Sequence, residues 1–186
     1  MKKIELQLAM DGAATRTLDQ AMEIIDRVAP YLDIIEIGTS FVLRYGMEPV
    51  SRVKAAHPDK KILADMKVMD GGYHNCGLGC KAGGDIVTVL GVSDHGTIQN
   101  ATKAAHDYGK QIMVDLICVK DVAETIAFCE EIGTDYICVH TGVDMQAQGK
   151  EPLDALKEAL ALVKNCKVSV AGGINEDTIE GICRLG

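Results

Sequence analysis

The 186-residue sequence has no uninterrupted apolar run of about 18 residues, the length that a membrane-spanning helix needs. It also lacks an excess of positive charge, because 19 Lys and Arg stand against 27 Asp and Glu and give a net charge of −8. Without basic patches, neither nucleic acid nor an anionic membrane surface is an expected partner. The N-terminus has no long apolar segment with a cleavage site, as a signal peptide would, so we expect a cytoplasmic protein.

The sequence lacks the cysteine pattern of a disulfide framework. Its seven cysteines are odd in number and scattered, and Cys118 and Cys138 lie in apolar runs where a free thiol acts as a small hydrophobic group. We therefore expect a reduced, intracellular chain. His74, Cys76 and Cys80 could together bind zinc, but their spacing matches no standard zinc motif and no fourth ligand is nearby. Thiols packed on a helix are the favoured interpretation.

Short apolar runs rich in Ile and Val alternate with longer amphipathic segments along the whole chain. Strands are predicted at 4–10, 33–38, 61–67, 85–90, 111–117, 135–140 and 167–171. Helices are predicted at 17–29, 41–56, 73–82, 97–108, 122–132, 152–163 and 176–184. Strands that are apolar on both faces, each followed by a helix, predict a parallel sheet covered by helices. No linker or low-complexity tract interrupts the pattern, so residues 1–186 are interpreted as one domain.

Two architectures fit this alternation, a doubly wound open sheet and a (β/α)8 barrel. The Gly-rich dinucleotide turn is missing after the first strand, where Asp11-Gly-Ala-Ala stands instead of G-x-G-x-x-G. Polar residues, Thr88 among them, end nearly every predicted strand, and a barrel brings all of these ends to one mouth, whereas an open sheet uses one switch point. This distribution predicts a TIM-type α/β barrel. Because only about seven βα units are found, we expect the domain to be incomplete at its C-terminus, with the eighth unit missing.

The segment Ile62-Leu-Ala-Asp-Met-Lys-Val-Met-Asp-Gly-Gly72 carries three charges in and just after an apolar strand. Asp65 and Lys67 are two residues apart, so their side chains should point to the same face, which in a barrel is the interior. One interpretation is a buried ion pair in which Asp65, Lys67 and Asp70 neutralise one another, at a desolvation cost that gains little. The favoured interpretation is that a protonated Lys67 stabilises a developing oxyanion or enediolate.

Other residues at strand ends supply further candidate functional groups. Glu36 and Asp65 could share a hard cation such as Mg²⁺, although Glu36 could also be a solvated strand end or a partner of Lys67. His140 is the one histidine at a strand end and is a candidate general acid or base, against the alternative of a core histidine bonded to backbone. Asp11 and Asp115 could bind substrate hydroxyls or hold Lys67. Gly172 and Gly173 follow the seventh strand, where barrels often bind phosphate, although such pairs also form plain turns.

These residues, in this order, resemble the orotidine monophosphate decarboxylase suprafamily of barrels. The motif D-x-K-x-x-D is here Asp65-Met-Lys-Val-Met-Asp70, and the resemblance extends over essentially the whole chain, through segments such as DIIEIGTS, AGGDIVTVLG, VHTGVDMQA and VSVAGGI. Within the suprafamily the chain is most similar to the 3-hexulose-6-phosphate synthase branch. Its sibling branch, the 3-keto-L-gulonate-6-phosphate decarboxylases, typically has Glu at the position of Asp115 and Arg at the position of Val143.

The resemblance implies an aldol condensation of formaldehyde with D-ribulose 5-phosphate through an enediolate. It implies Mg²⁺ on Glu36 and Asp65, stabilisation by Lys67, and proton transfer by His140. It also implies that Gly172 and Gly173 bind the phosphate together with a strand-eight loop, and that Asp70 reaches the site of a second subunit in a homodimer.

Three alternatives to this function stay open. The first is the decarboxylase reaction, and the second is a non-catalytic phosphosugar-binding barrel. A ribulose-phosphate epimerase fits less well, because its metal site needs several histidines at strand ends.

Overall fold

A computed structural model describes residues 4–12, 15–146 and 152–185. Within these ranges, strands and helices alternate as the sequence predicts. The strands are β1 (Gln7–Met10), β2 (Ile34–Ile37), β3 (Lys61–Val68), β4 (Ile86–Leu90), β5 (Gln111–Asp115), β6 (Tyr136–His140) and β7 (Lys167–Ala171). The helices are α1 (Leu18–Val28), α2 (Thr39–Tyr45), α3 (Glu48–Ala56), α4 (Gly72–Lys81), α5 (His95–Asp107), α6 (Val122–Ile132), α7 (Val143–Gln146), α8 (Leu153–Leu162) and α9 (Ile179–Cys183), with a 3₁₀ turn at Ala29–Tyr31.

All seven strands run parallel and are ordered in space as they are in the chain, from β1 to β7. A doubly wound sheet reverses its strand order at a switch point, whereas this sheet does not. The strands form a curled half-barrel of the TIM type, as the distribution of polar strand ends predicts. β1 and β7 are the edges of this sheet among the described residues. No helix in the described part of the chain is long and apolar enough to cross a membrane.

Most predicted boundaries are correct to within a few residues, but the single helix predicted at 41–56 is wrong. The structure has two helices there, because Gly46 takes a left-handed φ of 62° and ends α2. Pro49 then occupies the first turn of α3, where its missing N–H has no cost. The short helix α7 is also absent from the sequence-based prediction.

The apolar residues form two layers on opposite faces of the sheet. The larger core packs the outer face against the helices and includes fully buried residues such as Ile25, Val53 and Ile98. The smaller cluster fills the barrel interior and consists of Ile34, Leu63, Ile86, Met113, Tyr136 and Cys138. We call this cluster the interior plug.

The position of the interior plug shows which face of the sheet the polar strand-end residues share. Side chains on a strand return to the same face every second residue. Two residues beyond plug members of β2, β3, β4, β5 and β6 stand Glu36, Asp65, Thr88, Asp115 and His140. These five side chains therefore form the next layer inside the barrel, at the carboxyl ends of the strands.

An aspartate at the other end of the barrel recurs before every second strand. Asp33, Asp85 and Asp135 each precede an even-numbered strand and accept a hydrogen bond at 3.0 Å from a backbone N–H within, or directly before, the preceding strand. The donors are Leu6, Ile62 and Ile112. Each donor stands directly opposite its aspartate when the strand register is extended by one residue. These aspartates therefore fasten β1 to β2, β3 to β4 and β5 to β6 at their amino ends.

Candidate active site

Strand β3 leaves regular pairing as it reaches the mouth of the barrel. Ala64 is opposite Val87, but the next paired residues are Val68 and Val89, so three residues of β3 face the single residue Thr88. Within this bulge Lys67 has a φ of 43°, in the left-handed region that non-glycine residues seldom adopt. Bulges of this kind commonly redirect a side chain beside a functional site.

The ammonium group of Lys67 lies between two carboxylates. Its Nζ is 2.9 and 2.8 Å from the two oxygens of Asp65, and 3.1 Å from Oδ2 of Asp115. Burial by itself lowers the pKa of Lys67, but the charges of both carboxylates and their hydrogen bonds outweigh it and raise the pKa. Lys67 is therefore a permanent cation at neutral pH. Asp65 and Lys67 do face the same side, as their spacing predicts, but Asp115 and not Asp70 is the second carboxylate.

Asp115 also joins His140 to this cluster. Oδ2 of Asp115 is 2.8 Å from Nδ1 of His140, and its Oδ1 accepts a hydrogen bond from the backbone N–H of Ile117 at 2.9 Å. Burial raises the pKa of Asp115, but the hydrogen bond and charge of His140, together with Lys67, prevail and lower it. Because Asp115 is ionised and can only accept, Nδ1 of His140 must carry the proton. In the neutral form of His140, Nε2 is then the unprotonated nitrogen that can act as a base.

Asp65 is held by more donors than Lys67 alone. The hydroxyl of Thr39 donates to Oδ2 at 2.5 Å, and the backbone N–H of Thr39 does so at 3.3 Å. The hydroxyl of Thr88 donates to Oδ1 at 3.0 Å. Counting Lys67, each oxygen accepts at least two hydrogen bonds, so the orientation of Asp65 is fixed by residues from β3, β4 and the start of α2.

Glu36 lies beside Asp65 and accepts a hydrogen bond from Nε2 of Gln7 at 2.5 Å. Burial, followed by the negative charge of Asp65, raises the pKa of Glu36 to about 7. The site therefore carries more negative charge than Lys67 neutralises. Carboxylate oxygens in this state suit a hard cation. Among the described residues, however, no group of three or more His, Cys, Asp or Glu is placed to hold a metal.

Asp11 follows β1 at the same mouth and is bonded to the β2 side of the barrel. Its Oδ1 accepts a hydrogen bond from the hydroxyl of Ser40 at 2.8 Å, and that hydroxyl accepts the N–H of Gly12 at 2.6 Å. A Cβ at Gly38 would lie 2.3 Å from Oδ1 of Asp11. Glycine at position 38 is thus required for Asp11 to lie against the end of β2.

Two groups of predicted site residues lie outside the charged cluster. Gly172 and Gly173 follow β7 at the same rim with φ values of 85° and 73°, and a Cβ on Gly172 would lie 2.0 Å from the carbonyl oxygen of Thr141. Only glycine can occupy position 172 without a steric clash. Asp70 is exposed beyond β3, and its Oδ1 accepts the N–H of Gly71.

The three residues weighed as zinc ligands lie on α4. Cys76 and Cys80 are buried in the core between sheet and helices. Burial raises the pKa of Cys76 to about 12, so this thiol is protonated and packs as an apolar group. The interpretation as packed thiols agrees with this environment.

Sequence reasoning assigned no role to the neutral residues that organise the charges. Thr39, Thr88, Gln7 and Ser40 each hydrogen-bond a carboxylate of the site. Threonine is common in strands and at helix starts for other reasons, so it carries little signal. Thr88 stands two residues after Ile86 of the interior plug, so it lies in the same layer as Asp65 and Asp115. This spacing is the signal that points to Thr88.

Comparison with known proteins finds relatives of this chain among 3-hexulose-6-phosphate synthases and related decarboxylases. Residues 5–185 match the family model described as orotidine 5′-phosphate decarboxylase / HUMPS family. A 3-hexulose-6-phosphate synthase of Staphylococcus haemolyticus is 42% identical over 96% of this chain and 84% of its own. The structure of 3-hexulose-6-phosphate synthase from Salmonella typhimurium superposes with a TM-score of 0.94 at 44% identity, over 98% of this chain and 85% of that chain. The structure of 3-keto-L-gulonate-6-phosphate decarboxylase from Vibrio cholerae gives 0.84 at 27% identity, over 96% and 83% of the two chains.

Proposed function

Because the chain belongs to the orotidine 5′-phosphate decarboxylase / HUMPS family, we propose that it is an aldehyde-lyase of the 3-hexulose-6-phosphate synthase type. The proposed reaction condenses formaldehyde with D-ribulose 5-phosphate and gives D-arabino-3-hexulose 6-phosphate. The observation that carries the proposal is the Lys67 ammonium held between Asp65 and Asp115, with His140 on the same Asp115 oxygen. A fixed cation beside a base is what the formation of an enediolate needs.

The choice between the two sibling reactions rests on two positions of this chain. Asp115 is one methylene shorter than the Glu typical of the decarboxylases, and in this structure it bonds both Lys67 and His140. Val143 begins α7 and is 79% exposed, so it brings no charge to the place where the decarboxylases carry Arg. The higher identity to the synthases than to the decarboxylase of Vibrio cholerae supports the same choice.

The residues divide the proposed chemistry between them. Nε2 of His140 removes a proton from C1 of ribulose 5-phosphate, and Asp115 stabilises the imidazolium that results. Lys67 donates hydrogen bonds to the oxygen on which negative charge develops, so the enediolate is lowered in energy. The C1 carbon then attacks formaldehyde, and the alkoxide formed takes a proton from the imidazolium of His140. Asp11 binds sugar hydroxyls at the rim.

Mg²⁺ is the proposed cofactor, and Glu36 and Asp65 would hold it. The donor set fits, because both are carboxylates and Glu36 has a pKa raised to about 7 by burial and by Asp65, a penalty that a cation relieves. Water and substrate oxygens would complete the shell. When bound, such an ion supplies Lewis-acid polarisation of the substrate oxygens.

The remaining parts of the proposal concern the assembly. We propose that Gly172 and Gly173 bind the substrate phosphate through backbone N–H groups, as loops after the seventh strand often do. A homodimer in which Asp70 reaches the second subunit's site is proposed on the family resemblance and agrees with the exposure of Asp70. The proposed location is the cytoplasm, where a sugar phosphate with nearly two negative charges is retained.

A pair of assays tests the function. The purified chain is given formaldehyde with ribulose 5-phosphate, and separately 3-keto-L-gulonate 6-phosphate, each with Mg²⁺ and with EDTA. We expect Mg²⁺-dependent formaldehyde consumption and little CO₂ release. CO₂ release in large excess would favour the decarboxylase instead. Ribulose 5-phosphate binding without turnover of either substrate would favour a phosphosugar-binding barrel.

A further inference from the structure

The hydroxyl of Thr88 makes two hydrogen bonds that converge on the Asp65–Lys67 pair. Thr88 lies on β4 and is 3% exposed. Its Oγ1 accepts the backbone N–H of Lys67 at 2.9 Å and donates to Oδ1 of Asp65 at 3.0 Å. One side chain thus holds the backbone of the lysine and the carboxylate that the lysine binds.

The bond to Lys67 replaces a bond that the sheet does not make. Ladder pairing between β3 and β4 stops at Ala64 and resumes at Val68, so the N–H of Lys67 falls inside the bulge. A buried N–H that lacks a hydrogen-bond partner destabilises the folded state. The hydroxyl of Thr88 removes that cost while leaving Lys67 outside the regular ladder.

The same bond helps to hold an unfavourable backbone conformation. A left-handed φ is unfavourable for a non-glycine residue, and Lys67 has a φ of 43°. With this φ its Nζ lies within 3.1 Å of both Asp65 and Asp115. A lysine in ordinary strand geometry would leave the backbone along a different direction. The position of the ammonium therefore depends on the contact between Lys67 and Thr88.

We propose that Thr88 is a positioning residue, which sets the backbone of Lys67 and the carboxylate of Asp65 so that the ammonium lies where negative charge develops. This inference rests on the proposed function for its catalytic consequence. It extends that function because Thr88 acts through Lys67 and Asp65 and has no chemical step of its own. A residue that acts through Lys67 and Asp65, without contacting the substrate itself, should affect turnover more than substrate binding.

Two substitutions separate the hydroxyl from the shape of the side chain. Thr88→Val is close to isosteric and removes both hydrogen bonds, whereas Thr88→Ser keeps the hydroxyl. For Thr88→Val we expect kcat to fall by roughly 10- to 100-fold with KM changed less than about 3-fold, since a misplacement of about 1 Å has effects of this size. Thr88→Ser should retain kcat within about 3-fold of the wild type.

Thr102 is the matched control, because it is also 3% exposed and its hydroxyl bonds the carbonyl of Ile98 within α5, away from the mouth. Thr102→Val should leave kcat unchanged. A wild-type kcat in Thr88→Val, an equal loss in Thr102→Val, or no rescue by Thr88→Ser would overturn the proposal.

A measurement independent of turnover keeps the two proposals distinguishable. Hydrogen exchange of the Lys67 amide should accelerate at least about 10-fold in Thr88→Val and stay slow in Thr88→Ser and Thr102→Val. If the wild type consumes no formaldehyde, the proposed function fails, and the exchange rates still decide whether Thr88 holds Lys67. Unchanged protection of that amide in Thr88→Val would refute the positioning role.

Discussion

At the residue scale, the ammonium group of Lys67 joins the two buried carboxylates of the mouth. Asp65 and Asp115 are 7% and 4% exposed at their side chains, and both depend on Lys67. Each carboxylate also has hydrogen-bond donors of its own, from Thr39, Thr88 and Ile117. The cluster is therefore preorganised before substrate arrives, which is how electrostatic catalysis avoids reorganisation during the reaction.

We predict that Lys67→Met lowers turnover by at least about 10³-fold, because the variant loses the cation that would face the enediolate. The substitution should also lower the free energy of unfolding by about 3 kcal/mol, since it leaves two buried carboxylates without their countercharge. Steady-state assays and urea unfolding measure the two effects. Lys61→Met is the control, because Lys61 begins the same strand and pairs with Glu5 at 2.7 Å, far from the mouth. Comparable activity loss in both variants would contradict the assignment.

A second prediction concerns the pH dependence that Glu36 confers. Its folded-state pKa is raised to about 7 from an ordinary value of 4.5, so the protonated form is favoured by folding. The free energy of unfolding should therefore fall as the pH rises from 4.5 to 7. Glu36→Gln should remove this slope and stabilise the protein at pH 8 by at most about 3 kcal/mol.

The effect of Mg²⁺ on the melting temperature is a second measurement of the role of Glu36. The ion should raise the melting temperature of the wild type more at about pH 8 than at about pH 5, because it competes with the proton on Glu36. Glu36→Gln should lose that gain, whereas Glu131→Gln, at an exposed helix position, should keep it. An equal Mg²⁺ shift in all three proteins would argue against a metal on Glu36.

Charged residues of this site were predictable from the sequence, and the roles of neutral ones were not. Asp65, Lys67, Asp115 and His140 stand out because a charge in an apolar strand is costly unless it is used. The left-handed conformation of Lys67 has no local signal, because it arises from the bulge and from a hydroxyl on the neighbouring strand. Thr88 is visible in the sequence as a polar strand end, but its partners become evident only with the register.

At the element scale, the parallel strands and most of the helices follow from periodicity. The helix predicted at 41–56 failed because apolar spacing continues across Gly46, while the backbone reverses there. At this position the glycine ends the helix although the apolar periodicity continues past it. The aspartates before β2, β4 and β6 were equally visible in the sequence, but their meaning depends on which strand each one touches.

Asp85, the aspartate before β4, bonds two lysines and gives a prediction at this scale. Its carboxylate bonds Lys54 and Lys110, both at 2.8 Å, and the N–H of Ile62 at 3.0 Å. Burial alone raises the pKa of Asp85, but these bonds prevail and lower the pKa below its ordinary value of 3.8. The stabilisation that the ionised Asp85 provides is therefore present above pH 3.8 and is lost as the pH falls through the lowered pKa. Asp85→Asn should lower the free energy of unfolding by about 2 kcal/mol at pH 7.

The folded fraction of Asp85→Asn should keep its kcat, since Asp85 lies at the amino ends of the strands. In barrels of this type the carboxyl ends carry the chemistry and the amino ends carry stability. Asp59→Asn is the control, because Asp59 is 73% exposed and its ion pair with Lys60 is long, at 3.8 Å. Urea unfolding of Asp85→Asn should therefore show a lower stability, while steady-state kinetics should show an unchanged kcat. A loss of kcat without a loss of stability would contradict this division.

At the scale of the whole molecule, the proposed homodimer makes Asp70 testable. Asp70→Asn and Lys67→Met should each be inactive if Asp70 serves the neighbouring subunit. When equal amounts are mixed and allowed to exchange subunits, about half of the dimers combine the two chains. Each mixed dimer then has one site with both native residues, so roughly a quarter of wild-type activity should return.

Native mass spectrometry of the mixture provides the check on subunit exchange. Mixed dimers without recovered activity would show that Asp70 acts within its own chain or not at all. A monomer at assay concentrations would reject the shared site. Lys61→Met mixed with Asp70→Asn is the reference, and it should show about half of wild-type activity.

The fastening of strands in pairs bears on how this barrel tolerates breakage of the chain. Asp85 bonds back to β3, and its carbonyl accepts the N–H of Gln111 at the start of β5. A nick at 82–84 falls inside a fastened pair and separates Asp85 from the strand that it holds. A nick at 57–60 falls between two pairs and leaves each aspartate covalently joined to its partner strand. Of these two cuts, only the one at 82–84 breaks the covalent link between Asp85 and the strand whose N–H it accepts, at Ile62.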